Sequence, residues 1–425
     1  MQLERMNPWW FYKKVPEDLL GKKRLIFQEL LPFVFKRMAV LLHGARRVGK
    51  STVMFQIIQY LLDQKISPYD ILYFSFDERV LNLEQVLSDY ENKVLKEPLR
   101  NRKLYIFLDE IQKHPIWWDK IKLFYDLYPG IKWFLSGSNG LMIHKKVSES
   151  LAGRVYSFQM QPLSFAEYLS FHQIAWDKHD IGLQLSYLTP ALNHYMETSG
   201  FPELYDEKEK TMIQRYFIET VENRIIFQDI PLLFKIEDPL LLQRLFQIIS
   251  SHPGMSVVYS HLASDLQRDW RTIESYLGYL EKSYLLWQLL VYSPNLLSSQ
   301  KKLKKYYPAY SAFCFAQDPL LWENKTALGH VVEGLVAQVS GSEFYLKSSS
   351  KEEVDLLVRK DKVVFPVEVK YRQTITPSII DKTMKRMGKM SFKTGIMITE
   401  NEKRSLQKEG SELHLIPLVE YLLTG

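Results

Sequence analysis

Met38-Ala-Val-Leu-Leu-His-Gly44-Ala-Arg-Arg-Val-Gly49-Lys50-Ser51-Thr52 is the stretch that decides how this 425-residue chain is read. Met38–Leu42 is an apolar run of strand length, and Thr52–Leu62 continues as an apolar helix. Between them Gly44–Ser51 fits the pattern G-x-x-x-x-G-K-[ST]. Glycines at those positions let backbone N–H groups wrap phosphates, and the N-terminus of the following helix adds its positive dipole end. Lys50 is then placed for the β- and γ-phosphates, and the Ser51 hydroxyl for Mg²⁺. The expected nucleotide contacts are Gly44, Ala45, Arg46, Arg47, Val48, Gly49, Lys50, Ser51 and Thr52, and the expected ligands are ATP and Mg²⁺. The competing reading is a chance match in a basic loop, and the flanking strand and helix argue against it.

Working outward, short apolar runs alternate with helix-length stretches. The runs are Met38–Leu42, Ile71–Phe76, Leu104–Leu108, Ile131–Ser136 and Val155–Phe158, the alternation of a doubly wound α/β domain. Leu104–Leu108 ends in Asp109-Glu110. Two carboxylates at the end of a buried-type strand are costly as packing. Beside a phosphate loop they have work: Asp109 as a metal ligand through water, Glu110 as the group that polarises the attacking water. A solvent-exposed strand-end pair is the bland alternative. The tip of the next strand, Gly137-Ser138-Asn139, offers a polar group to sense the γ-phosphate, with Asn139 preferred and Ser138 second, although such residues also form ordinary turns. Arg154, in Ser150-Leu-Ala-Gly-Arg154, is a candidate to stabilise transferring charge in its own or a neighbouring subunit's site, or else a plain surface arginine.

The ordered run G-A-R-R-V-G-K-S, L-D-E-I-Q, S-G-S-N, S-L-A-G-R and P-L-S-F-A-E-Y resembles prokaryotic AAA+ superfamily ATPases that carry a C-terminal restriction-endonuclease-like domain of unassigned function. Gly200–Glu203 (G-F-P-E), Glu353–Val358 (E-V-D-L-L-V) and Pro366–Lys370 (P-V-E-V-K) fit the later part of that pattern. Gln228-Asp229-Ile230 and Ala309–Ala312 depart from it. The resemblance implies a P-loop AAA+ core, a helical lid and an endonuclease-like α/β domain.

In the middle of the chain, Val257–Leu266 and Arg271–Leu280 read as two helices around a short polar turn, with Tyr284–Val291 as a following strand. This is a winged-helix-like arrangement that turns Arg271, Thr272 and Ser275 outward. The acidic Asp265, Asp269, Glu274 and Glu281 count against a basic recognition helix, so Lys301, Lys302, Lys304 and Lys305 are the better phosphate contacts. A protein-packing winged helix or a plain helical lid is the alternative. Near the C-terminus, a turn at Lys360-Asp361-Lys362 folds Val363–Lys370 back beside Asp355. Glu368 and Lys370, two apart on a strand, share a face. With Glu333 from the preceding helix, Asp355, Glu368 and Lys370 form a possible metal-dependent nuclease site. The alternative is a charged face kept in a binding module.

The expected domains are a 1–22 arm, a 23–175 ATPase core, a 176–235 lid, a 236–310 winged-helix-like domain and a 311–425 endonuclease-like α/β domain. Apolar residues are 46% and charged residues 24%, the balance of a folded globular chain. No apolar run approaches a bilayer span and no signal-peptide core is visible, so no membrane contact and a cytoplasmic location are expected. The single cysteine, Cys314, excludes an internal disulfide and a cysteine-based zinc cluster. The net charge is +6, but residues 1–50 and 359–393 each carry +7. Such concentrations suit a polyanion, which with the motifs points to DNA as partner, or to solvated surface. The expected function is ATP hydrolysis in a DNA-associated protein, with a second copy of the chain, in a homo-oligomer, as a further expected partner. A regulatory switch whose C-terminal part only binds nucleic acid or protein is the alternative.

Overall fold

All five apolar runs of the first part become strands of one parallel sheet in the computed structural model. They are β1 (Ala39–His43), β2 (Ile71–Ser75), β3 (Leu104–Asp109), β4 (Ile131–Gly137) and β5 (Val155–Gln159). The structure describes residues 2–77, 82–114, 116–138, 150–295, 298–299, 303–347, 352–360, 363–408 and 410–424. It divides into two units, residues 1–163 and 164–425. In the first, the strand order is β2-β3-β4-β1-β5 and every pair is parallel. β1, β3 and β4 are buried along their whole length, as strands covered on both faces are. Helix α1 (Lys50–Asp63) leaves β1, and α2 (Trp117–Leu127) lies between β3 and β4. Parallel strands put their C-terminal ends on one edge, where open α/β sheets take their ligands.

The edge strand β2 is not left bare. The Asn7 side chain receives the Tyr73 N–H at 2.7 Å and donates to the Tyr73 carbonyl at 2.9 Å, as a neighbouring strand would. Trp9 and Trp10, both buried, donate their indole N–H groups to the Ile71 carbonyl. Residues before the sheet thus occupy hydrogen-bonding groups that an open edge offers to other chains.

In the second unit, α3 (Ile181–Thr198) runs through Pro190. Helix Lys210–Arg215 passes into π-helical turns at Tyr216–Glu222 and Ile225–Asp229. Next come α4 (Pro239–Ser251), β6 (Met255–Val257), α5 (Tyr259–Leu266), α6 (Trp270–Lys282), β7 (Leu286–Val291) and β8 (Lys304–Pro308). Val257, expected in a helix, pairs with Lys304 in the sheet. Later elements are α7 (Lys325–Val339), β9 (Phe344–Lys347), β10 (Glu353–Lys360), β11 (Val363–Val369), α8 (Pro377–Lys389), β12 (Thr394–Thr399), β13 (Arg404–Lys408) and β14 (Ser411–Pro417). Nine strands form one sheet in the order β13-β14-β12-β11-β10-β9-β7-β8-β6. Its two halves join through β7 and β9, which pair in parallel with Leu290 opposite Phe344. One sheet therefore crosses the boundary expected at residues 310/311. Among the described residues no helix is long and apolar enough to cross a membrane.

Glu222 sits in the first π-helical turn, 1% exposed. Gln317 donates to its Oε2 at 3.2 Å, while Oε1 has no hydrogen-bond partner. Burial pushes its carboxyl up to about 7, against the weaker opposing pull of Gln243 and Gln317. The folded state therefore keeps a proton that the unfolded chain, with an ordinary value of 4.5, has released. Stability then falls as pH rises from about 4.5 to 7 and stays reduced above that window. Glu222→Gln is expected to recover on the order of 2–3 kcal/mol at pH 8 and almost nothing at pH 4. Thermal melts of both proteins at the two pH values check this, and equal gains at both would show that the charge is not the cause.

Candidate active site

The 44–52 loop joins the C-terminal end of β1 to the first turn of α1. Gly49, at φ +92°, and Arg47, at φ +63°, make the left-handed turns that bring the loop back over itself. Gly44 has a different reason to be glycine. A Cβ there would lie 2.1 Å from the Met160 carbonyl oxygen. Buried Arg24 braces the same loop, donating to the carbonyls of Val48, Gln161 and Pro162, each at 3.0 Å. Lys50 is buried, and its ammonium donates to the carbonyls of Gly44 at 3.1 Å and Ala45 at 2.8 Å, inside the curve of the loop. Ala45, Arg46 and Val48 are buried with it, and Thr52 is half-buried.

Asp109 ends β3 and is 3% exposed. Its Oδ2 accepts from Ser51 Oγ at 2.5 Å and from the Tyr73 hydroxyl at 2.7 Å. Its Oδ1 accepts from Ser136 Oγ and from the Glu110 N–H. Burial raises its pKa and the Glu110 charge adds to that, while the Ser136, Ser51 and Tyr73 hydroxyls oppose the rise. The Tyr73 hydroxyl is itself held well above its usual range by burial and by Asp109, so it stays a donor. Mg²⁺ fits this pair: a hydroxyl and a carboxylate are hard oxygen donors, and a cation relieves the cost of burying Asp109. The structure thus brings Ser51 and Asp109, the two expected metal residues, together.

Glu110 follows in the left-handed region, at φ +51°. Its N–H donates to Ser136 Oγ at 3.1 Å, and its Oε2 accepts from Gln112 Nε2 and, at 3.1 Å, from Ser138 Oγ. Gln112 also donates to Ser138 Oγ at 3.0 Å. Ser138, the second choice at the tip of β4, therefore reaches Glu110. Asn139, the first choice, lies outside the described residues. Arg154 is not brought to this cluster. It precedes β5, so it sits at the N-terminal edge of a parallel sheet, opposite the loop, in a bidentate pair with Asp126 at 3.1 Å. A role in its own subunit's site is thereby corrected by strand direction. Motif reading missed Tyr73, Ser136, Gln112 and Arg24. Two of them had a signal: Ser136 as a polar residue closing an apolar strand, and Gln112 as the last residue of L-D-E-I-Q.

The C-terminal group also assembles, with different chemistry. The β10–β11 register pairs Leu356 with Val367, and one residue further sets Asp355 across from Glu368. Asp355 lies in a register shift between Val354 and Leu357, where β10 departs from regular pairing with β9. Lys370 Nζ stands 3.2 Å from Asp355 Oδ2 and 2.9 Å from Glu368 Oε2, and Arg386 pairs with Glu368 Oε1. Glu333 on α7 accepts from Lys305 at 3.2 Å and from Tyr307 at 2.5 Å, and His330 lies 3.4 Å away. Gly334 leaves room for the Tyr307 ring, which would stand 2.9 Å from an added Cβ. Burial, then the charges of Glu333 and Glu368, push Asp355 up to about 7. Burial opposes ionisation of Glu333, but His330, Lys305 and Tyr307 outweigh it and its pKa is lowered. Lys370 is raised, since Asp355 and Glu368 outweigh its burial. A cavity of about 640 Å³ opens beside Asp355 and Lys370, with Lys325, His330, Glu333 and Arg372 among its walls.

The carboxylates of this arrangement are paired with cations of the chain itself. Among the described residues no three His, Cys, Asp or Glu side chains are arranged to hold a cation. Both oxygens of Glu368 face an ammonium or guanidinium, and Lys370 fills the space between the carboxylates. The residues of the expected nuclease site thus come together, joined by an internal ion network. The expected phosphate contacts change. Lys304 and Lys305 are buried, the first donating to Tyr259 and the second paired with Glu333 and Glu353. Lys301, Lys302 and the Asp361-Lys362 turn lie outside the described residues. Arg271 and Ser275 of α6 are exposed, as expected, and Thr272 is half-buried. In a Lys50→Ala, Asp109→Ala double variant only this second cluster remains, and Mg²⁺ or Mn²⁺ should leave the thermal midpoint of the full chain unchanged. A midpoint that climbs with metal concentration would show that the network opens to a cation.

Three family models match consecutive parts of the chain. Residues 36–169 match "AAA domain", residues 189–314 "Domain of unknown function (DUF8612)" and residues 323–421 "Domain of unknown function (DUF4143)". An uncharacterized protein of Methanocaldococcus jannaschii, MJ1544, is 28% identical over 217 residues, covering 50% of this chain and 47% of its own length. This chain thus spans about half of that relative. An uncharacterized protein of Haemophilus influenzae is 24% identical over 286 residues, 66% of this chain and 69% of its own. Among solved structures, the Walker-type ATPase PABY2304 of Pyrococcus abyssi overlays with a TM-score of 0.41 at 15% identity, covering 69% of this chain and 95% of that one. Thermotoga maritima RuvB overlays with a TM-score of 0.32 at 14% identity, covering 66% and 92%. The match over residues 36–169, the part that holds the phosphate loop and the acidic strand, supports an AAA-type ATPase.

Proposed function

We propose that the chain binds ATP with Mg²⁺ at the 44–52 loop and hydrolyses it. The observation that carries this reading is the 2.5 Å contact between Ser51 and the buried carboxylate of Asp109, at the edge of a parallel sheet where the loop ends. The loop N–H groups and Lys50 bind and orient the phosphates. Mg²⁺, when bound, neutralises charge on the β- and γ-phosphates. Glu110 accepts a proton from the attacking water, and Ser138 and Gln112 hold the Oε2 of that carboxylate. Arg154 serves a neighbouring copy, which its place before the edge strand β5 and its partly exposed side chain favour. In a phosphate-release assay, Lys50→Ala should abolish nucleotide binding, while Glu110→Gln should keep binding and lose roughly 10²–10⁴-fold in turnover. Arg154→Ala should lower turnover more than affinity, and wild-type specific activity should rise with protein concentration. Unchanged turnover in Glu110→Gln would remove that residue from the mechanism.

Hydrolysis is read as driving a switch whose second unit engages duplex DNA without cutting it. The support is the order helix, strand, two helices, two strands over residues 239–308, with β6, β8 and β7 antiparallel, which is a winged-helix layout exposing Arg271 and Ser275. The β10–β11 hairpin with Asp355, Glu368 and Lys370 keeps an endonuclease-like plan, but its ion network suits a binding module. Retention of the full chain on duplex DNA should fall steeply with salt, and Arg271→Ala should weaken it and flatten the salt dependence. Retention that is absent or indifferent to salt would leave a switch that acts on protein.

A further inference from the structure

Tyr73 belongs to no motif, yet it is fixed on three sides beside the metal residues. It lies on β2 two residues before Ser75, whose register partner is Asp109. Its hydroxyl donates at 2.7 Å to Asp109 Oδ2, the oxygen that also accepts from Ser51. Its ring packs on Phe55 of α1 with centroids 4.7 Å apart, and the Asn7 amide binds its backbone N–H and carbonyl. The side chain therefore spans from the phosphate-loop helix to the acidic strand. A serine hydroxyl has one proton and two lone pairs. Ser51 can turn a lone pair to a cation and still donate its proton to Oδ2, and Tyr73 is the second donor on that oxygen, fixing its direction from the neighbouring strand. With Ser136 on Oδ1, the carboxylate cannot rotate without losing a buried hydrogen bond.

We propose that Tyr73 is a positioning residue for Asp109, its hydroxyl holding the carboxylate in the orientation that receives the divalent cation ligated by Ser51. This rests on the ATPase reading above. Partners of metal-ligating groups typically change metal affinity by about 10–100-fold when removed. Tyr73→Phe deletes one oxygen and leaves the ring on Phe55.

The test is Mn²⁺ binding to the full chain in the presence of ADP, read by electron paramagnetic resonance of free Mn²⁺. Ser51→Ala serves as the control. Tyr73→Phe should bind Mn²⁺ about 10–100-fold more weakly. A fluorescent ADP analogue in EDTA should bind it as it binds wild type. The Mg²⁺ concentration for half-maximal turnover should rise, with the KM for ATP at saturating metal unchanged. Phe55→Leu, which loosens the ring contact and keeps the hydroxyl, should retain wild-type Mn²⁺ affinity. The proposal is overturned if Tyr73→Phe keeps wild-type Mn²⁺ affinity while Ser51→Ala loses it. It is equally overturned if Tyr73→Phe loses metal-free nucleotide binding and thermal stability together with Mn²⁺ binding, since that is a packing role. If wild type binds neither nucleotide nor Mn²⁺, the ATPase reading falls first and Tyr73 has no cation to serve.

Discussion

A buried carboxylate held by three hydroxyls is the constraint on which the first unit depends. Asp109 has little water to solvate it, so its charge must be met by Ser51, Tyr73, Ser136 and the Glu110 N–H. Those four groups come from the helix after β1, from β2, from β4 and from the residue beyond β3. No local segment can supply them. The order β2-β3-β4-β1-β5 puts β3 between β2 and β4 and leaves β1 one strand further, with its loop reaching across. Sheet topology and site chemistry are in this sense one requirement. Neutral donors also leave the net negative charge in place, which is what attracts a cation.

The second unit solves the same problem in the opposite way. Asp355, Glu368 and Glu333 are also buried or nearly so, but ammonium and guanidinium groups meet them. Full charges compensate more strongly than hydroxyls, yet at Asp355 burial and the charges of Glu333 and Glu368 still outweigh Lys370. Similar carboxylate spacing therefore carries different chemistry, decided by which side chains stand opposite.

Much of the first unit was legible because its information is local. The five strands appear as apolar runs within a residue or two of their observed ends, and Gly49, Lys50 and Ser51 must follow β1 in sequence for the loop to form. What stayed hidden is brought in by folding. Tyr73 reads as one more apolar strand residue, and only the β2–β3 register turns its hydroxyl to Asp109. Arg386 stands 18 positions from Glu368 on another element, a separation with no periodicity to reveal it. Lys304 and Lys305 look like solvated charges until β8 is paired between β6 and β7 and draws them inward. Arg154 carried several readings that the sequence alone does not separate, and strand direction removes the one in its own subunit's site, since a residue before a parallel strand faces the edge away from the phosphate loop. His330, three residues before Glu333 on one helix, was readable and overlooked.

Arg24 joins Val48 to Gln161 and Pro162, and Gly44 presses against Met160. A ribosome makes the loop at residues 44–52 early and makes its far wall only after β5. The sequence-local motif is thus translated long before the walls that shape it, and a chain ending before Met160 would carry every motif residue of the loop on an unbraced turn. The first functional element to be written is among the last to be finished.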